Sequence, residues 1–394
     1  MAGGSKKDAK PRLLIATDNF LPRWDGIARF LAEVIPRLLD DFRISVVAPH
    51  FGPVSSEISR NLQLIRIPVL PVRVGDFNPS KLSLSAMVKI RKAVRSADIV
   101  WTQTIGPLGF FSLRTAHRYK KPLLSFVHSI EWDLVRMALS RHNLLRRPVR
   151  MLTKILARNT YNKCDRLMVP SHEVSEILEV NGIFPPKDVV LLGVDSAKFV
   201  PPSSKSAAKE KIGINPDKKV IGYCGRIARE KDLKTLFRAF LRLSSKRSDA
   251  VLLLVGTGVR DFDKIINSHS NIIAVGKKDD VVPYLQAMDV YVLPSLLETT
   301  SLSSLEAMSC GVPVVCTPVG LLQSYIRDRF NGMFFRKGNS LILSMKLEWL
   351  LSHSSVLKEM GVNARKTASE LYTWDRTAGG VRSVLKEHLS FVKP

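Results

Sequence analysis

Two cations set five residues apart, Arg226 and Lys231, follow Gly225, which closes the apolar run Val220–Cys224 and opens onto a helical stretch, Leu233–Phe240. A glycine at a strand end lets a backbone approach a ligand closely, and two cations at this spacing can reach one diphosphate. A plain strand-to-helix turn with solvated Arg and Lys would carry the same residues. After a later apolar run ending at Pro294-Ser295 come two carboxylates, Glu298 and Glu306, with Thr299, Thr300, Ser301 and Leu302 close behind the first. A helix beginning near Thr300 or Ser301 would aim its free amides at whatever Glu298 touches and carry Glu306 about two turns on. Carboxylates accept hydrogen bonds from hydroxyls, so two on one wall suit a sugar and a ribose. Ordinary glutamates on an exposed helix are the alternative.

Two weaker positions join them. In Trp24-Asp25-Gly26-Ile27 the first strand's loop turns into the first helix, and Gly26 there could admit an anion to the helix dipole. His128 ends the apolar run Leu123–Val127, where it could hydrogen-bond a substrate or serve as a satisfied structural histidine.

The elements that must position these residues alternate along the whole chain. Strands are expected at Leu13–Thr17, Ile44–Ala48, Leu62–Ile67, Ile99–Thr102, Leu123–Val127 and Leu167–Pro170. A second series is expected at Val220–Cys224, Val251–Val255, Ile272–Val275, Val290–Pro294, Val312–Cys316 and Met333–Phe335. Between the first two strands Ile27, Phe30, Leu31, Val34, Ile35, Leu38 and Leu39 form one helical face, which Pro36 should kink or shorten. Strands alternating with helices predict parallel βαβ sheets, with ligands at the carboxyl ends of the strands. The reading is α/β, two Rossmann-like doubly wound domains facing a central cleft. They are placed at residues 1–200 and 211–373, with a linker at 201–210 that begins Pro-Pro-Ser-Ser-Lys-Ser and a terminal helix at 374–394 returning toward the first domain.

Composition narrows the function classes. The 394 residues, 45% hydrophobic and 24% charged, describe a two-domain globular chain. No apolar run approaches a membrane span, and the basic start leads only into Leu13–Ala16, which predicts no signal peptide. Four scattered cysteines lack metal-ligand spacing and predict a reducing cytosol. The net charge of +25 calls for a phosphorylated ligand, a polyanion or an anionic membrane surface. Nucleic acid is disfavoured, because aromatics are only 7% and do not interleave with the basic run. A dinucleotide-dependent dehydrogenase is weaker still, since the first strand-to-helix turn has no G-x-G-x-x-G.

Gly225-Arg226 with Lys231, then Val255-Gly256-Thr257-Gly258, then Glu298-x7-Glu306 continuing to Val315, resembles the family 4 retaining glycosyltransferases of GT-B fold. The likeness runs from Leu13 to about Trp374. It implies a nucleotide-sugar donor, UDP- or GDP-hexose, with no further cofactor and no divalent metal. It implies that Arg226 and Lys231 hold the donor diphosphate beside Gly225. Glu298 and the amides of Thr299, Thr300, Ser301 and Leu302 would hold hexose hydroxyls, and Glu306 the ribose. His128 would sit beside the hexose, and Gly26 would line the diphosphate and acceptor channel. Two positions depart from the family pattern: Asp25-Gly26 stands where a double glycine is common, and Thr299-Thr300 where an aromatic and a glycine usually follow the first glutamate.

The acceptor is addressed by a basic segment. Between Arg136 and Arg166 lie nine basic residues and one acidic, Asp165. Within it Val149, Leu152, Ile155 and Leu156 define one helical side, while Arg147, Arg150, Lys154 and Arg158 cluster on another, next to Arg146. Such a helix suits an anionic lipid surface; a packed helix with a solvated basic face is the alternative. The expectation is hexosyl transfer to a lipid at the cytoplasmic membrane face. A soluble sugar or polyol acceptor is the variant, and a nucleotide-sugar epimerase the rival.

Overall fold

The computed structural model describes residues 10–23, 25–55, 60–72, 78–133, 143–258, 269–298 and 300–392. Thr299 and part of the basic segment, including Arg136 and Arg141, lie outside them, as does the side chain of Arg146.

By contact the chain forms two units, residues 1–191 with 377–394 and residues 192–376. The first holds β1 (Arg12–Ala16), β2 (Arg43–Pro49), β3 (Gln63–Ile67), β4 (Ile99–Thr102), β5 (Leu123–Phe126), β6 (Arg166–Val169) and β7 (Lys187–Val189). They form one parallel sheet in the order β3-β2-β1-β4-β5-β6-β7. The second holds β8 (Lys219–Cys224), β9 (Ala250–Val255), β10 (Ile272–Ala274), β11 (Val290–Leu293), β12 (Val314–Cys316) and β13 (Gly332–Phe334). These are parallel in the order β10-β9-β8-β11-β12-β13. Both sheets are doubly wound, and both central strand sets are buried, as apolar runs without alternation require.

The helices of the first unit are α1 (Gly26–Leu38), α2 (Leu84–Ser96), α3 (Pro107–Arg118), α4 (Asn143–Tyr161) and α5 (His172–Val180). Pro36 falls in the last turn of α1, which ends at Leu38, so the proline shortens the helix. Phe30 of α1 is fully buried against Trp101 of β4 and Phe126 of β5. The amino end of α3 is fastened from another strand: Asp18, just past β1, accepts from the Leu108 and Gly109 amides and the Thr104 hydroxyl at 2.9, 3.1 and 2.6 Å. Burial nonetheless pushes the Asp18 carboxyl up.

The second unit carries α6 (Lys205–Lys211), α7 (Leu233–Ser244), α8 (Val282–Ala287), α9 (Leu302–Ser309), α10 (Leu322–Tyr325), α11 (Ser340–Ser352) and α12 (Ser354–Leu371). The division falls at 191/192, so residues 192–200 side with the second unit, and the Pro-Pro-Ser-Ser segment leads straight into α6. Ser204 caps that helix, and Lys209 within it reaches Asp289 at 2.9 Å, with both side chains almost fully buried. The last helix, α13 (Trp374–Val392), begins in the second unit and is completed in the first. There Arg382 and Lys386 clamp Asp41 at 2.6 and 2.5 Å, and His388 meets Asp165 at 3.1 Å.

Candidate active site

Glycines set how closely two neighbouring strands' loops can run. Gly225, after β8, has φ +148°, and Gly256, after β9, has φ +137°. Gly225 N donates to Val255 O and Ile227 N to Thr257 O, both at 2.9 Å. A Cβ on Gly256 would lie 1.9 Å from the Gly225 carbonyl oxygen, and one on Gly258 would lie 1.8 Å from that of Ile227. The Gly-x-Gly after β9 is thus a steric demand of the loop carrying Arg226.

Beyond Gly225 the chain makes a single 3-10 turn, Arg229–Lys231, and leaves it through Asp232 at φ +44°. Aspartate visits this left-handed region more readily than most residues, and the Thr235 hydroxyl holds its carboxylate at 2.6 Å. The turn delivers the Lys231 ammonium onto Oε1 of Glu298, which also accepts from Ser295 Oγ at 2.9 Å. The Glu298 side chain is only 8% exposed, so Lys231 and Ser295 offset the cost of enclosing a carboxylate there. A backbone bond from Leu296 N to Glu230 O, 2.7 Å, laces the same two loops. Arg226 stands farther out, 58% exposed, with Glu230 at 2.5 Å. The structure therefore brings Lys231 and Glu298 into direct contact and puts Arg226 beside a carboxylate of its own turn.

The expected helix begins one residue past Ser301. Ser301 caps α9 by accepting from Ser304 N at 3.3 Å, with Leu302 the first helical residue. Thr300 Oγ1 just ahead is buried without a hydrogen-bond partner. Tyr291 ties this helix to β8, its hydroxyl lying 2.7 Å from Ser303 Oγ and 2.9 Å from Cys224 O. Glu306 is 8% exposed inside the unit rather than on an open helix face. Its charge adds to the burial that pushes the Cys224 thiol up to about 12. Glu306 is buried and the Glu298 side chain is only 8% exposed, unlike ordinary surface glutamates.

The first unit shows how its candidates are held. His128 Nε2 lies 2.9 Å from Gln103 Oε1, and its ring stacks on Phe126 with centroids 4.3 Å apart. Burial pushes this histidine down to about 3, so it is neutral at physiological pH. Gly26 is the exposed first residue of α1, with open space where a Cβ would be. The amides that follow it are already engaged: Asp25 Oδ1 accepts from Ile27 N and Ala28 N at 3.0 Å each. The aspartate in place of the usual first glycine supplies the anion for this helix end itself. Sequence reasoning missed Glu131, whose Oε1 accepts from the Tyr161 hydroxyl while Oε2 is buried without a partner. Burial pushes this carboxyl up to about 7, only partly offset by Tyr161.

The basic segment is helical as α4, but its apolar residues do not face the core. Ala157, Thr160 and Tyr161 are buried, whereas Met151 and Leu152 are 64% and 65% exposed, with Ile155 and Leu156 exposed beside them. Arg147, Arg150 and Arg158 are exposed and Lys154 is half-buried. Of these, Arg150 reaches Asp133 at 3.4 Å, and Arg158 lies against the backbone at Gly182. No described helix is long and apolar enough to cross a membrane.

Comparison with known proteins gives two family matches, glycosyltransferase family 4 over residues 24–198 and glycosyl transferases group 1 over residues 204–367. The chain is 24% identical to the alpha-monoglucosyldiacylglycerol synthase of Streptococcus pneumoniae over 338 residues, 82% of this chain and 75% of that protein. It is also 24% identical to the UDP-Gal:alpha-D-GlcNAc-diphosphoundecaprenol alpha-1,3-galactosyltransferase of Escherichia coli over 375 residues, 91% and 93% of the two chains. Among solved structures, sucrose-phosphate synthase from Thermosynechococcus elongatus superposes with a TM-score of 0.78 at 17% identity, covering 97% of this chain and all of that one.

Two stability effects follow from this geometry. Gly256→Ala should lower the unfolding free energy by at least about 2 kcal/mol, because backbone blocks the new methyl. Gly276→Ala, at φ +69° in open space, should cost only the conformational strain of about 1–2 kcal/mol. Denaturant titration of both variants checks the difference. For Glu131 the folded value of about 7 lies above the ordinary 4.5. The folded protein thus keeps a proton that the unfolded chain gives up, and stability should fall as pH rises from about 4.5 through about 7. Glu131→Gln should flatten that decline, worth on the order of 3 kcal/mol, in unfolding curves measured across this range.

Proposed function

The chain belongs to the group 1 glycosyl transferases of family 4, with the GT-B fold, and from that premise we propose that it moves a hexose from a nucleotide-sugar to a lipid acceptor at a membrane surface, with retention of configuration and without a metal ion. The observation that carries the donor reading is the Lys231–Glu298 contact, which joins the turn after β8 to the loop after β11 inside the region matching group 1. A diphosphate arriving there meets Arg226 and Lys231, two donors that neutralise charge as it builds on the leaving group. Glu298 holds Lys231 in place and offers its remaining acceptor capacity to hexose hydroxyls, while Glu306 serves the ribose. The backbone amides at the start of α9, with Thr300 and Ser301, border the same loop. His128, being neutral, binds a hydroxyl and moves no proton of its own. The acceptor attacks from the face the diphosphate leaves, and a phosphate oxygen takes its proton.

Support for a lipid acceptor comes from α4. An apolar stripe turned outward and flanked by Arg147, Arg150, Lys154 and Arg158 is the arrangement that lies in an anionic interface. Two relatives are named for lipid or lipid-linked acceptors. Sucrose-phosphate synthase, of the same fold, marks the soluble acceptor as the reading against which the membrane is tested.

Lys231→Ala and Glu298→Ala should each lower hexosyl transfer by at least about 10²-fold in a folded protein, and near-normal turnover by folded Lys231→Ala would remove that residue from the donor site. Chelator should leave wild-type transfer intact, and rescue by Mg²⁺ or Mn²⁺ alone would contradict the metal-free mechanism.

The protein should sediment with liposomes containing anionic lipid, not with neutral ones, and be released at about 1 M salt. Replacing Arg147, Arg150, Lys154 and Arg158 with Gln should weaken this binding by several kcal/mol, at about 1 kcal/mol per cation, and spare slow donor hydrolysis. Equal binding by wild type and variant would move the lipid contact away from α4. No binding by either would favour a soluble acceptor.

A further inference from the structure

Gln103 directly follows β4 at its carboxyl end and is 1% exposed. Its Oε1 lies 2.9 Å from His128 Nε2, but its own Nε2 is buried with no hydrogen-bond partner among the described residues. A buried amide left unpaired costs about 1–3 kcal/mol, which a fold retains only when something else satisfies the group. At the end of the adjacent strand, β1, Asn19 is 6% exposed and its Oδ1 is likewise buried and unpaired. Strand order changes direction between β1 and β4, and ligands of doubly wound sheets bind outside the carboxyl ends at that point.

His128 supplies the other half. Its ring is held between Phe126, stacked at 4.3 Å, and Phe30, edge-on at 4.9 Å, so it cannot turn away from Gln103. Being neutral, it carries a single N–H. A carbonyl oxygen on Nε2 puts the proton there and leaves Nδ1, which has no hydrogen bond among the described residues, as an acceptor.

We propose that Gln103 locks His128 in the Nε2–H tautomer and itself donates to the sugar, so that the pair presents one acceptor, His128 Nδ1, and one donor, Gln103 Nε2, to sugar hydroxyls. The sugar as ligand rests on the glycosyltransferase reading; the tautomer lock does not. Gln103 acts on the ring as a positioning residue and on the ligand as a specificity determinant for hydroxyls.

Two variants separate the roles. Gln103→Met keeps the volume and removes both polar atoms; Gln103→Glu keeps an oxygen toward His128 and removes the donor. Nitrogen-15 spectra at mildly alkaline pH read the ring tautomer directly, and transfer kinetics read the sugar contact. The wild type should show His128 protonated at Nε2 alone. Gln103→Met should show both tautomers and lose about tenfold or more in kcat, and its KM for the sugar substrates should rise. Gln103→Glu should restore the single tautomer and recover kcat, leaving KM raised about tenfold, the equivalent of one lost hydrogen bond. A wild-type ring protonated at Nδ1, or Gln103→Met with the wild-type tautomer and kinetics, overturns the proposal. A wild type that turns over no nucleotide-sugar overturns the activity reading instead, and the ring nitrogens then decide the lock alone.

Discussion

Enclosing a carboxylate costs free energy unless a cation and hydrogen bonds offset it, and for Glu298 the cation in contact is Lys231. Much of the second unit's upper edge can be traced to making that contact. Lys231 arrives by way of a 3-10 turn closed by a left-handed aspartate. The turn is fed by a loop that must press against its neighbour, which is why glycine stands at three places on two successive strand ends. Ser295 and Leu296 fix the other partner from the far side. Both Arg226 and Lys231 already carry carboxylates, Glu230 and Glu298.

The first unit's strand ends are arranged differently. Its strand-end loops hold Asp18, Asn19, Gln103, His128 and Glu131, of which Asn19 and Gln103 are buried and the others half-buried. Asp18 is spent on helix α3, Glu131 on Tyr161, and His128 is kept uncharged between two aromatic rings. What is left over is a small set of unsatisfied amide atoms. Unpaired donors and acceptors discriminate hydroxyls sharply, because a ligand lacking the hydroxyl leaves them unpaired.

The layered fold was legible because its strands are buried on both faces and therefore read as uninterrupted apolar runs. Strand β7, Lys187–Val189, escaped because two of its three residues are charged and it lies at the sheet edge. Pro and Ser at 201–204 mark a break in the chain, whereas contacts divide it at 191/192. Arg226, Lys231, Glu298 and Ser301 drew notice by their place after strands, and the structure sets Lys231 against Glu298 and Ser301 at the head of α9. Gln103 obeys the same rule as His128, a polar residue where an apolar run stops, and that rule would have found it. Glu131 and Tyr161 lie thirty residues apart with nothing periodic between them, so only the fold shows the pair. For α4 the amphipathic pattern was right, but pattern alone cannot say which side is inward. Small Ala157 and Thr160 lie beneath it, and the larger aliphatics face out.

The first unit is continuous in space and split along the chain, since its last helix follows the whole of the second unit. A ribosome adds about 5–20 residues each second, so the 185 residues from 192 to 376 separate the two parts by some ten to forty seconds. Through that interval Asp41 and Asp165 have been made and Arg382, Lys386 and His388 have not. The second unit, whose residues are contiguous, can finish while the first still waits. The first unit is thus completed only after the second has been made, when α13 is added to it.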